Sequence, residues 1–294
     1  MQEPYTKEEL KRAYDFIEER LMLQRGISSK VKELMYLAAL SIAKIAAKYN
    51  ISPQSFKFTL NSTLNKEVDK VISQLVENIV DATCTIATYG TNEKEKNRTL
   101  LYVKQNTYGS NIEQRVRAYA KQYKTEIEIA LAASLFLGKK PQETANIIKS
   151  NITALHGSVL FATARKENFR ALSDYDTPVK TGFYKSSYNN IDRAVTDIIA
   201  RSRQQLFYER EKAAMWYVMR GSSYPCDLCD SQVGLHSSAS DLPPYHPHCV
   251  CMAIPIKTKT IWTNQKFSEI LHAVKDCVTS GIQSGAGTSQ TKNL

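Results

Sequence analysis

The chain has 294 residues, of which 43% are hydrophobic and 23% charged, and it carries a formal net charge of +10. Such values exclude wholesale disorder, and the length is enough to bury a sizeable core in one large domain or two ordinary ones. With no leader segment and no apolar run of spanning length, the expectation is a protein with no membrane partner whose six cysteines serve as thiols or metal ligands rather than disulfides.

The first two thirds read as helix. Over residues 7–24, Leu10, Tyr14, Ile17 and Leu21 recur at spacings of three and four and predict one apolar helical stripe. Ser28 or Ser29 is placed to cap a second helix running to about Tyr49, with Val31, Leu34, Ala38, Ile42 and Ile45 on its inner face. Ser52-Pro53 reads as a cap with proline at the first helical position, which opens a short helix. Leu64, Val68, Val71, Leu75 and Ile79 continue the pattern until Gly90 and Asn92 end it. Ile112, Val116, Tyr119, Tyr123, Ile127, Ala130 and Leu131 predict a helix over 111–137, stopped by Gly138 before Pro141 starts another.

Around 173–190 the mixture of Pro, Gly, Ser and Asn predicts a loop or hinge, followed by a helix over about 190–214. MWYVM (215–219) is a short aromatic and β-branched run that fits a strand, and MAIPI (252–256) is its expected antiparallel partner. The last sixteen residues, from Thr279, read as a flexible tail. The fold class expected is therefore mainly α, with a helical region (1–175), a small α+β region containing a metal-clamped β-hairpin (176–257), and a C-terminal helix and tail (258–294).

Charge is unevenly distributed. Residues 101–150 hold eight Lys or Arg against four Glu, which makes Arg115, Arg117, Lys121, Lys124, Lys139 and Lys140 candidates for a nucleic-acid or partner surface. Each cluster reads equally well as a solvated helix face unless the residues share one surface. No G-x-S-x-G, P-loop or useful Ser, His and Asp spacing is present, so a non-enzymatic protein is expected. Cys84, Cys277, His156 and His272 read as packing residues.

Chemistry concentrates between Cys226 and Cys251, where CDLCDSQVGLHSSASDLPPYHPHCVC holds four of the six cysteines and three of the five histidines. Cys226 and Cys229 form a C-x2-C pair; His246 and Cys249 form an H-x2-C pair after sixteen intervening residues; Cys251 follows with one residue between. Two short turns, each bringing two soft or borderline donors to one side, suit a single tetrahedral zinc ion. Pro225 and Pro247 stiffen these turns. Disulfides fit the expected compartment less well, and iron–sulfur clusters usually want four thiolates. Five donors compete for four places: Cys226, Cys229 and His246 come first, Cys249 and Cys251 compete for the fourth, and His236 and His248 read as solvated or hydrogen-bonded. Three thiolates and one imidazole would close the site, which makes the zinc structural rather than catalytic.

In the order Trp216, CDLC, Val233-Gly234, PPYHPHCVC and the apolar AIPI, this segment resembles the phage Mu F-like family of minor head proteins. Members commonly read C-x2-C, a Gly, and PP-x-HPNC-x-C before a short strand. The upstream stretch IARSRQQLFYEREKA (Ile199 to Ala213) occupies the place of the family's Ile-Ala-Arg-Thr-Glu helix. Ser202 and Arg203 stand where the family often has Thr and Glu, and His248 replaces its Asn.

The resemblance covers roughly 180–256 and implies a structural minor head protein of a tailed bacteriophage. Such a protein would act in head assembly, DNA packaging or DNA delivery. Its place would be the capsid interior or portal vertex of the virion, with the host cytoplasm during assembly. Its partners would be the portal protein, other head proteins and packaged DNA. The alternatives are a phage-encoded toxin or nuclease carrying a Mu F-like domain, or a zinc-stabilised nucleic-acid-binding protein.

Overall fold

The computed structural model describes residues 4–107, 109–175, 184–238 and 241–257. The expected C-terminal helix and tail, Cys277, His272 and the middle of the 173–190 loop lie outside them. Helices dominate, and a small antiparallel sheet closes the described chain.

Helix α1 runs unbroken over Lys7–Ala46, a single helix of 40 residues where the sequence predicts two. Thr6 caps it reciprocally with Glu9. Ser28 caps nothing: its hydroxyl donates back to the Gln24 carbonyl at 3.0 Å, a bond a helix interior accommodates. The expected N-terminal stripe is also displaced. Tyr14 is 52% exposed, while Ala13, Phe16, Ile17, Arg20, Leu23 and Ile27 form the buried row. Arg20 broke the apolar pattern of that row and hid it.

The Ser52-Pro53 helix is not formed. Pro53 opens a turn, and a 3-10 segment follows at Phe58–Leu60. Phe56 and Phe58 are both buried, and the Phe58 N–H donates to the buried Glu128 carboxylate, so anchoring in the core overrides the capping signal.

Asn61 then caps α2 (Ser62–Ala87), whose buried row is Leu64, Val68, Ile72, Leu75, Val76 and Ile79; Val71 is half-buried. Asn92 does not merely end this helix. Its side chain caps a further one, α3 (Glu93–Lys104), which the sequence reading lacked.

Helix α4 (Ile112–Phe136) starts at the Asn111 cap and is buried at every position over 126–134, as befits a central helix. Gly138, at φ +66°, takes the left-handed conformation that lets the chain turn into α5 (Pro141–Ser150), with Pro141 at its start. After α6 (Val159–Lys166), α7 (Ser187–Glu211) begins three residues earlier than the sequence predicts, on a Ser186 cap.

The sheet has strand order β2-β1-β3, with β1 at Met215–Met219, β2 at Gly234–His236 and β3 at Met252–Ile256. MWYVM and MAIPI pair antiparallel from Met215 opposite Ile256 to Met219 opposite Met252, as their sequences predict. The third strand, β2, was not anticipated. It is only 3 residues long and too short to show alternation.

A large apolar core joins α1, α2 and α4 to α7. A second gathers Phe16 and Ile17 of α1, Phe207 and Tyr208 of α7, and Trp216, Val218, Met252 and Ala253 of the sheet. Phe16 stacks on Phe207 at 4.2 Å between centroids, and Tyr208 meets Trp216 edge-on at 4.9 Å. Both α1 and α7 thus run from one core into the other.

Candidate metal centre

Beyond β1 the chain is held against its own later segment. A β-carbon at Gly221 would fall 1.8 Å from the carbonyl oxygen of Val250, so only glycine permits this approach. Arg220 then braces the first knuckle through an ion pair with Asp230 and a bond to the Tyr224 carbonyl. Cys226 precedes and Cys229 lies within the single helical turn α8 (Asp227–Asp230), in which the Asp230 N–H donates to the Cys226 carbonyl at 2.9 Å.

The second knuckle turns at His246, whose carbonyl accepts the Cys249 N–H at 3.1 Å. His248, between them, has φ +65°. His is among the non-glycine residues enriched in that left-handed region, which gives its presence at this turn a conformational reason. The His246 Nδ1 donates to the Pro247 carbonyl at 2.8 Å, because a carbonyl can only accept. That bond leaves the Nε2 lone pair facing the thiols, the usual orientation of a ligating imidazole.

His246 Nε2 lies 3.3 Å from Cys226 Sγ and 3.1 Å from Cys229 Sγ, and Cys229 Sγ lies 3.9 Å from Cys249 Sγ. A tetrahedral zinc with bonds of ~2.3 Å to sulfur and ~2.0 Å to nitrogen would set these separations at about 3.5 Å and about 3.8 Å. The donor atoms fall into two triads, Cys226, Cys229 and His246, and Cys229, Cys249 and Cys251, each within 4.8 Å and sharing Cys229. The chain therefore brings together every donor the sequence singled out, and the cluster can hold a metal ion. Cys229, Cys249 and Cys251 are each at most 3% exposed.

The protonation equilibria reflect crowded sulfur. Burial pushes Cys229 up to about 12, and the hydrogen bond to Cys249 raises Cys251, while the hydrogen bond from Cys251 brings Cys249 down to about 5. A divalent cation that binds such clustered thiols displaces their protons.

His236 is hydrogen-bonded to the Gln232 carbonyl at 2.8 Å, and His248 is exposed. Cys84 sits half-buried on α2, where burial raises its thiol. The six basic candidates are dispersed in their roles. Arg115 donates to the Ala194 carbonyl at 3.1 Å, Arg117 pairs with Glu113 at 2.7 Å and Lys124 pairs with Asp69 at 2.6 Å, whereas Lys121, Lys139 and Lys140 are exposed. Lys139 and Lys140 follow the far end of α4, some fifteen residues or ~22 Å beyond Lys121 at the helical rise.

Two buried arginines were missed by sequence reasoning. Arg20, 1% exposed on α1, donates at 2.9 Å to Gln204 Oε1 and at 2.9 Å to the Cys249 carbonyl. Arg203 donates to the Tyr89 carbonyl at 2.7 Å and pairs with Glu19, tying α7 to the end of α2 and to α1. A cation inside an apolar row, as in Phe16-Ile17-Arg20-Leu23-Ile27, is the signal that could have found the first. Compared with family models, curated proteins and solved structures, the chain matches none.

Proposed function

We propose that this chain is a structural minor head protein of a tailed bacteriophage, without enzymatic activity, and that its carboxy-proximal knuckles are clamped by a structural zinc ion. One observation carries the reading: CDLC and HPHCVC converge on a single donor cluster where β1 leaves the sheet and β3 enters it, in an order and spacing that resemble the Mu F-like motif. Cysteine and imidazole donors suit zinc, and a surplus of donors leaves no position for a reactive water. The left-handed His248 supports the same reading, since the family's Asn suits that conformation.

In this role the zinc keeps a compact region folded, while the exposed Lys121, Lys139 and Lys140 contribute to a positive surface toward packaged DNA or an acidic portal face. The protein resides in the virion, at the capsid interior or portal vertex. Among the described residues no helix is long and apolar enough to cross a membrane.

The test combines mass spectrometry and elemental analysis of purified virions with incubation of the purified protein with DNA and RNA, with and without chelator. Presence in virions with one zinc per chain and intact nucleic acid is expected. Absence from virions would overturn the head assignment, and metal-dependent cleavage would favour a nuclease carrying the same domain.

A further inference from the structure

Arg20 carries a charge into the interior with no carboxylate to meet it. Its guanidinium is held by two neutral acceptors, the Gln204 side chain and the Cys249 carbonyl, its Nε has no hydrogen-bond partner, and among the described residues it forms no ion pair. A buried cation without a counter-charge is strongly unfavourable. The groups beside it able to carry negative charge are the thiols of the knuckle it grips, Cys249 and Cys251.

A divalent ion held by three thiolates and one neutral imidazole has one net negative charge, which a single guanidinium balances; a fourth thiolate would leave the interior one charge short. Both competing sulfurs lie within 4.8 Å of Cys229, so it is the local turn and the Arg20 contact that separate the two cysteines. Cys249 shares a tight turn with His246, just as Cys226 shares one with Cys229. Its sulfur stands 3.9 Å from Cys229 Sγ, near the edge length of a tetrahedral site, and it is the residue whose carbonyl Arg20 holds. Cys251, at the entry to β3, lies within 4.8 Å of both sulfurs and is 2% exposed.

We propose that the metal is bound by Cys226, Cys229, His246 and Cys249, that Cys251 is an unligated thiol beside it, and that Arg20 is the positioning residue that neutralises the centre and joins it to α1. This assignment rests on the metal reading above. Three consequences follow. Losing Cys251 leaves a complete ligand set. Losing Cys249 removes one thiolate from the set and leaves its place to solvent. Losing the charge at Arg20 weakens metal binding even where the fold is kept.

The full chain is titrated with cobalt(II), whose tetrahedral d–d bands and sulfur-to-cobalt charge transfer report geometry and thiolate number, and zinc affinity is read by competition with a chromophoric chelator. Cys251→Ala is expected to keep the wild-type bands and affinity, and Cys249→Ala to lose charge-transfer intensity and bind at least about tenfold more weakly. Arg20→Met should bind zinc at least about tenfold more weakly, as is usual for the loss of an outer partner, with Arg20→Lys recovering most of that loss. Circular dichroism reports whether the helices persist.

Wild-type protein that takes up neither metal would remove the metal reading itself. Wild-type binding together with loss of the tetrahedral bands in Cys251→Ala, or their full retention in Cys249→Ala, would overturn the ligand assignment alone. Equal affinity in folded Arg20→Met would overturn the role of Arg20. If Arg20→Met does not fold, the two cysteine variants still decide the ligand assignment, and Arg20→Lys binding tenfold or more weakly would overturn charge neutralisation as the role of Arg20.

Discussion

Two glycines show how steric surroundings set the sign of one substitution. Gly26 lies in the interior of α1, and an added β-carbon would meet nothing within 4 Å. Glycine costs a helix interior conformational entropy, so Gly26→Ala should raise the unfolding free energy by about 0.5–1 kcal/mol. Gly221 is exposed yet has no such freedom, because its β-carbon would overlap the Val250 carbonyl. Gly221→Ala must push β1 away from the second knuckle, at a cost of roughly 1–3 kcal/mol, the range typical of forced overpacking. Because Val250 separates Cys249 from Cys251, the same variant should also bind zinc more weakly. Urea denaturation of both variants at saturating zinc checks the pair, and equal destabilisation would remove the close approach as the cause.

At the scale of elements, α4 and α7 are joined through one buried carboxylate. Glu126 accepts the Ser187 hydroxyl at 2.6 Å and the Ser187 N–H at 3.0 Å, at the first turn of α7, and Gln122 donates to it at 3.0 Å. Burial raises its pKa to about 7 from an ordinary 4.5, and these hydrogen bonds only partly oppose the rise. The folded state therefore binds the proton more tightly than the unfolded chain. The carboxyl disfavours folding progressively as pH rises from 4.5 to about 7, and the loss is complete above that. Glu126→Gln keeps an acceptor and removes the titration. Its stability relative to wild type should grow by on the order of 3 kcal/mol between pH 4.5 and pH 7.5, measured by denaturant unfolding at each pH. A difference that stays flat across this range would rule Glu126 out as the source.

Such links explain what was legible in the chain and what was not. The metal donors were readable because knuckle spacing is local, and β1 and β3 because their apolar runs flank it. Helices α2 and α4 announced themselves through periodicity and α5 through its Pro141 start, whereas the Asn61 and Asn111 caps show only in the structure. The single α1 was misread as two helices because Ser28 and Ser29 resemble caps unless the core on both sides is known. Glu126, Arg20 and Arg203 were invisible for the same reason, since each bonds across more than sixty residues of chain.

For the molecule as a whole, the question is how far loss of the proposed metal would spread. Before the fold is known, a zinc clamp on a small terminal region invites the expectation that the helical body is indifferent to it. Yet Arg20 reaches the Cys249 carbonyl, Glu9 accepts the Lys257 N–H at 2.6 Å, and Phe16 and Ile17 share their core with Trp216 and Met252. The other half of α1, from Leu23 onward, belongs to the large core instead. Metal removal should therefore divide one continuous helix. After chelation, or in Cys226→Ser, hydrogen exchange is expected to rise by about tenfold or more across β1, β2, β3 and the amides of 9–20, since exchange tracks local opening free energy. Residues 31–46 of α1, packed on α2, should keep their protection. Peptide-resolved mass spectrometry separates the cases. Protection lost across all of α1 would make the metal a keystone of the entire fold, and protection kept throughout 9–20 would confine its influence to the sheet and knuckles. The intermediate result follows from where the two cores meet along α1, between Ile17 and Leu23, at the turn that carries Arg20.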